Sequence, residues 1–115
     1  GAAIHAFGEA IDVSGRNFVP AATQPVIGFR ADELIDQFGI PPANHIKIDV
    51  DGIEFQVLQG MDKMLSGHSV HSLMVEINEA RACKKEVLNY LRRKGFLLDF
   101  NVGANHIFSR APKLR

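Results

Sequence analysis

The chain has 115 residues with 13 Lys+Arg against 13 Asp+Glu, so its formal charge is zero with the five histidines neutral. That balance makes no electrostatic case for a nucleic-acid or anionic-membrane partner. A 46% apolar share with 10 Gly and 5 Pro scattered along the chain argues for an ordinary globular domain over 1–115, not for disorder or a low-complexity linker. Cys83 is the lone cysteine, which excludes an internal disulfide and fits a reducing compartment. The apolar runs are far shorter than the ~20 residues a membrane span needs, and no targeting signal is visible, so the expected location is the cytoplasm.

In chain order, a strand is expected over 6–13 and another over Val26–Phe29, with a loop between. Leu34, Ile35 and Phe38 then share one helical face. Gly39 offers a left-handed C-cap, and Pro41-Pro42 forbid continuation. His45–Val50 alternates apolar and polar side chains as a strand does. Asp51-Gly52-Ile53-Glu54 reads as a carboxylate capping box opening a helix, whose stripe is Val57, Leu58, Met61, Met64 and Leu65. Ser72–Asn78 is a further strand, so 45–78 forms a strand–helix–strand unit with parallel strands and a right-handed crossover. A helix over about 82–94 follows, with Val87, Leu88 and Leu91 inward. The basic Arg92-Arg93-Lys94 falls at its favourable carboxyl end as a solvated terminus. Phe96–Phe100 and Asn105–Arg110 close the chain as an antiparallel hairpin around a loop of about four residues. The expected fold class is α/β: a mostly parallel sheet with helices and a C-terminal antiparallel β-hairpin.

In open α/β sheets ligands bind beyond the carboxyl ends of the strands, which singles out Asp49, Glu76 and Asn78. Lys47 and Glu76 read equally well as a structural ion pair, since an unpaired charge inside a sheet is costly. Asp51 and Glu54 are accounted for structurally, by helix capping. His68 and His71 lack a neighbouring Cys, Asp or Glu to complete a metal set and read as a solvated loop, so no metal is expected. Cys83 has no histidine partner in sequence and reads as a half-buried helix residue.

The string Ile46-Lys47-Ile48-Asp49-Val50-Asp51-Gly52-Ile53-Glu54, followed by Val57-Leu58-Gln59-Gly60-Met61, resembles the hallmark segment of FkbM-type methyltransferases. Phe29–Ile40, Leu73–Asn78, Gly95-Phe96 and Asn105–Phe108 resemble further segments of that family, so the likeness covers 26–110. It implies a Rossmann-like class I methyltransferase fold, S-adenosylmethionine as methyl donor and a small-molecule or glycan hydroxyl as acceptor. Asp49 would be the catalytic-face residue, near the donor or bonded to the substrate, with Glu76 and Asn78 as second choices. The family's donor-binding glycine turn has no counterpart here. Val102-Gly103-Ala104-Asn105 imitates it, but inside a hairpin where no helix dipole serves a ligand. The chain is therefore expected to be the carboxyl-terminal portion of a larger domain, inactive alone, with a sheet edge open to pairing or dimerisation. Two rivals stand beside this reading. Asp49-Val50-Asp51-Gly52 resembles the first motif of haloacid-dehalogenase-type phosphatases, which use paired aspartates and magnesium. A non-catalytic α/β interaction module is the other.

Overall fold

A computed structural model describes residues 6–12, 14–79 and 84–112. Helix α1 (Ala31–Phe38) precedes β1 (His45–Ile48), α2 (Glu54–Gln59), α3 (Asp62–Ser66), β2 (Ser72–Glu76), α4 (Lys84–Arg93), β3 (Phe96–Val102) and β4 (Asn105–Arg110). The four strands form one sheet in the order β1-β2-β4-β3. The α/β class holds, and β1 and β2 pair in parallel as the strand–helix–strand pattern requires. "Mostly parallel" does not hold for the described residues: β2–β4 and β4–β3 are antiparallel, because the closing hairpin inserts its second strand beside β2.

The core lies on one face of this sheet. Ile48, Leu73, Val75, Ile77, Phe96 and Phe108 from the strands and strand ends meet Leu58, Met61 and Leu65 of the α2–α3 segment and Val87, Tyr90 and Leu91 of α4. Period-2 alternation along β2 buries Leu73 and Val75 and leaves Ser72, Met74 and Glu76 facing the other way. The pairing register aligns Lys47, Met74, Ile107 and Phe100 across that second face, flanked by Leu97 and Val102. There Leu97, Phe100 and Val102 are 50%, 57% and 66% exposed.

Several expectations are corrected. Neither the described residues 6–12 nor Val26–Phe29 form a strand, and Ile11 makes only an isolated bridge to Asn17. Asp12 organises that bend by accepting the Ser14 and Arg16 backbone N–H groups at 2.9 Å each. These bonds, with that of the Ser14 hydroxyl, hold its carboxyl down to about 2. The long helix expected after Asp51 is instead two short ones that meet at Gly60-Met61. The break has a physical cause. Asp32 of α1 accepts the Lys63 and Met64 backbone N–H groups at 2.7 and 3.0 Å, capping α3 from outside. Gly60 lets Arg30 approach to 3.6 Å of where a Cβ would stand. The hairpin loop tightens from four residues to two: Val102 pairs with Asn105, and Gly103 takes φ 59 at the first turn position, the type II′ arrangement that suits strand twist. Lys94 is not simply solvated, since it pairs with Asp62 at 2.6 Å. Gly39 caps α1 as expected, with φ 63 and its N–H on the Ile35 carbonyl. Cys83 and the expected start of α4 at Ala82 lie outside the described residues.

Candidate functional site

Because β1 and β2 run parallel with Ile48 opposite Val75, their carboxyl ends stand side by side and Asp49 comes level with Glu76. Carboxylate oxygens of the two come within 4.8 Å, and each group is the largest influence on the other's proton affinity. Glu76 is pushed above the ordinary glutamate value by the neighbouring Asp49, by burial and by the negative charges of Asp49, Asp51 and Glu54. Asp49 is held below the ordinary aspartate value by Glu76 and then by Lys47. The two carboxyls are thus pushed apart, Glu76 towards keeping its proton and Asp49 towards losing it.

Lys47 thus serves a different partner from the one expected. Its Nζ lies 3.3 Å from Asp49 Oδ2, two residues along the same strand, and the expected Lys47–Glu76 pair is replaced by Lys47–Asp49–Glu76. Both members of the ion pair are well exposed, 58% and 44% at the side chain, so it adds little stability and acts mainly to keep Asp49 ionised. Asn78 sits two residues beyond the end of β2, at this same end of the sheet.

The turn after β1 departs from the capping box. Asp51 takes a left-handed φ of 55 and Gly52 a φ of 114, so the chain reverses sharply before α2. Ile53 holds the N-cap position of α2, and no side chain caps it. Glu54, only 5% exposed, turns back to accept the Gly52 N–H at 2.9 Å. Asp51 is thereby thrown towards the strand ends, and carboxylate oxygens of Asp49, Asp51 and Glu76 come within 4.8 Å of one another. An all-oxygen set of this kind is what a hard divalent cation would accept. Gly52 is the one residue type free of Cβ strain at such a φ. Gly52→Ala is therefore expected to cost about 1–3 kcal/mol, read as a lowered urea midpoint with unchanged m-value.

Asp51 is the residue whose place sequence reasoning misassigned. The available signal was the Asp-Gly dipeptide, a turn former directly after a strand. A cleft of about 570 Å³ lies elsewhere, lined by residues of the 6–24 coil such as Phe18, Pro20 and Ala21. It contains no part of the strand-end cluster.

A mixed α/β sheet with neighbouring carboxyls at the adjoining ends of two parallel strands defines the class: an α/β protein with an acidic rim at those strand ends. The family model described as the methyltransferase FkbM domain matches residues 3–98, and the chain belongs to that family. The match begins well before residue 26, so it takes in the amino-terminal coil that the motif likeness left out, and it ends before β4. No curated protein and no solved structure matches the chain. Among the described residues no helix is long and apolar enough to cross a membrane.

Proposed function

We propose that this chain forms the carboxyl-terminal part of a Rossmann-like, S-adenosylmethionine-dependent methyltransferase domain that methylates a hydroxyl oxygen, with Asp49 on its catalytic face. The observation that carries the reading is the placement of the Asp49–Glu76 pair at the strand ends of a chain belonging to a methyltransferase family. Family membership implies the donor, and the rim suits it in chemistry: the carboxylate oxygens of Asp49 and Asp51 can accept from an ammonium or from ribose hydroxyls, and their negative field favours a cation. When bound, the donor supplies an electrophilic methyl group on a sulfonium.

The residues of the chain divide the remaining work. Asp49, kept ionised and weakly basic, is suited to accept a hydrogen bond and hold a reactant in line, and such alignment is the main requirement of methyl transfer. Glu76, whose carboxyl is raised, is the better proton acceptor once it ionises, because base efficiency improves as the pKa approaches the working pH. Lys47 maintains the asymmetry between them. The outer edge of β1, paired on one side with β2, would receive the next strand of the sheet, from the same polypeptide or from a second copy. A cytoplasmic setting accords with the lone cysteine.

The glycine turn that would cradle the donor is not in this sequence, so the 115 residues are proposed to be inactive alone. Calorimetric titration of the 115-residue chain with S-adenosylmethionine is expected to show no micromolar binding; a micromolar isotherm would overturn this. The phosphatase reading gains the Asp49–Asp51–Glu76 cluster, but the family match favours methyl transfer. Magnesium-dependent hydrolysis of p-nitrophenyl phosphate is expected to be absent.

A further inference from the structure

We infer that His45 and His71 form a two-point site for a divalent transition-metal ion, with Ser72 orienting the His45 ring. The site lies at the amino ends of β1 and β2, opposite the carboxylate rim, and does not depend on the methyltransferase reading. His71 precedes β2, and its imidazole stands 6.0 Å from that of His45, centre to centre, with the planes tilted by 48°. Two imidazoles that bind one tetrahedral ion through nitrogens at about 2.0–2.1 Å put their ring centres roughly 5 Å apart, so the exposed rings need to close by about 1 Å.

The donors are positioned by fixed backbone. His45 is in a strand, and the His71 backbone is pinned on both sides: its N–H donates to the Asn44 carbonyl at 2.7 Å, and its carbonyl accepts the Arg110 N–H at 2.9 Å. The Asn44 side chain ties the preceding loop by donating to the Ser69 carbonyl at 2.9 Å. His45 Nδ1 is held at 2.7 Å by the Ser72 hydroxyl, which leaves Nε2 as the coordinating nitrogen. A hydrogen bond on the second ring nitrogen is the usual way that a ligating histidine is oriented. Both imidazoles are exposed, so an ion can reach them and solvent can fill its remaining positions. Imidazole donors select zinc, nickel or copper over magnesium or calcium.

The test uses Zn²⁺ alone, added to the full chain and followed through the histidine ring resonances by NMR. The expected result is that His45 and His71 shift together along one isotherm of one ion per chain. His45→Ala and His71→Ala should each weaken binding at least tenfold, and Ser72→Ala about tenfold, with the far-ultraviolet circular dichroism unchanged. If an alanine variant loses its fold, His45→Asn or His71→Asn replaces it. Separate isotherms for the two rings, full affinity in a folded variant of either histidine or of Ser72, or loss of binding on Asp49→Asn would each overturn the proposal.

Discussion

Arg110→Ala is expected to lower the stability of the fold by about 3–5 kcal/mol. The guanidinium donates from Nε to the Val70 carbonyl at 2.8 Å, from Nη1 to that of Lys94 at 3.2 Å and from Nη2 to that of Leu65 at 3.1 Å. Two of these carbonyls belong to the final turns of α3 and α4, which intrahelical bonding leaves unsatisfied and where the helix dipoles concentrate negative charge. The same group lies 4.3 Å from the centre of the buried Phe96 ring. One side chain from the last strand therefore locks two helix ends and a loop to the sheet. Equilibrium urea unfolding measures the loss. Arg110→Lys should recover only a minor part of it, because one ammonium cannot reproduce a planar fork with three separated donors.

The second large effect concerns catalysis. In a polypeptide that also carries the donor-binding glycine turn, Asp49→Asn is expected to lower kcat/KM about 100-fold, the scale of one positioned polar group acting in the transition state. Lys47→Ala should cost far less, since it only tunes Asp49 through an exposed ion pair. Glu76→Gln separates chemistry from stability. The Glu76 value is raised on folding, so its favourable contribution is complete below the ordinary glutamate value of 4.5 and is lost as the pH climbs through the higher folded value. A glutamine retains a donor to Asp49 and cannot ionise. The variant should be more stable than the parent at neutral pH, and the difference should close on acidification. Asp49 has the opposite sign: its contribution is present above 3.8 and disappears as the pH falls through its depressed value. Urea midpoints from mildly acidic to neutral pH and below give both slopes, and a Glu76→Gln advantage that persisted unchanged in acid would contradict the upward shift of Glu76.

The elements legible in the sequence were those with a strong local period. β1 and β2 follow from their apolar patterns, α4 from a 3.6-residue stripe and the hairpin from two apolar segments around a short glycine-bearing loop, and Gly39 marks a helix end through its own conformational freedom. What sequence did not show is set by contacts distant along the chain. The division of α2 from α3 depends on Asp32, about thirty residues earlier, taking over two backbone donors. Arg110 was only the last residue of a strand until tertiary structure brought three carbonyls to it. Val26–Phe29 has the composition of a strand but no neighbour among the described residues to pair with, and an apolar run without a ladder stays irregular. In the site, Asp49 and Glu76 could be found because parallel pairing places the ends of successive strands together. Asp51 was paired with Asp49 only in the phosphatase rival, because its spacing to Glu54 also satisfies a capping box and only the left-handed backbone angle decides for the turn that Asp-Gly signals.

The order of strands also governs how this polypeptide can assemble. β4, the last of the four described strands in chain order, occupies an interior position between β2 and β3. Until it emerges, neither neighbour has its partner, and the first three strands cannot close into a continuous sheet. A nascent chain halted after residue 104 would present β2 with a vacant side and β3 with none of its ladder, so closure of this sheet waits for β4 and the open strands are exposed to chaperone capture until then.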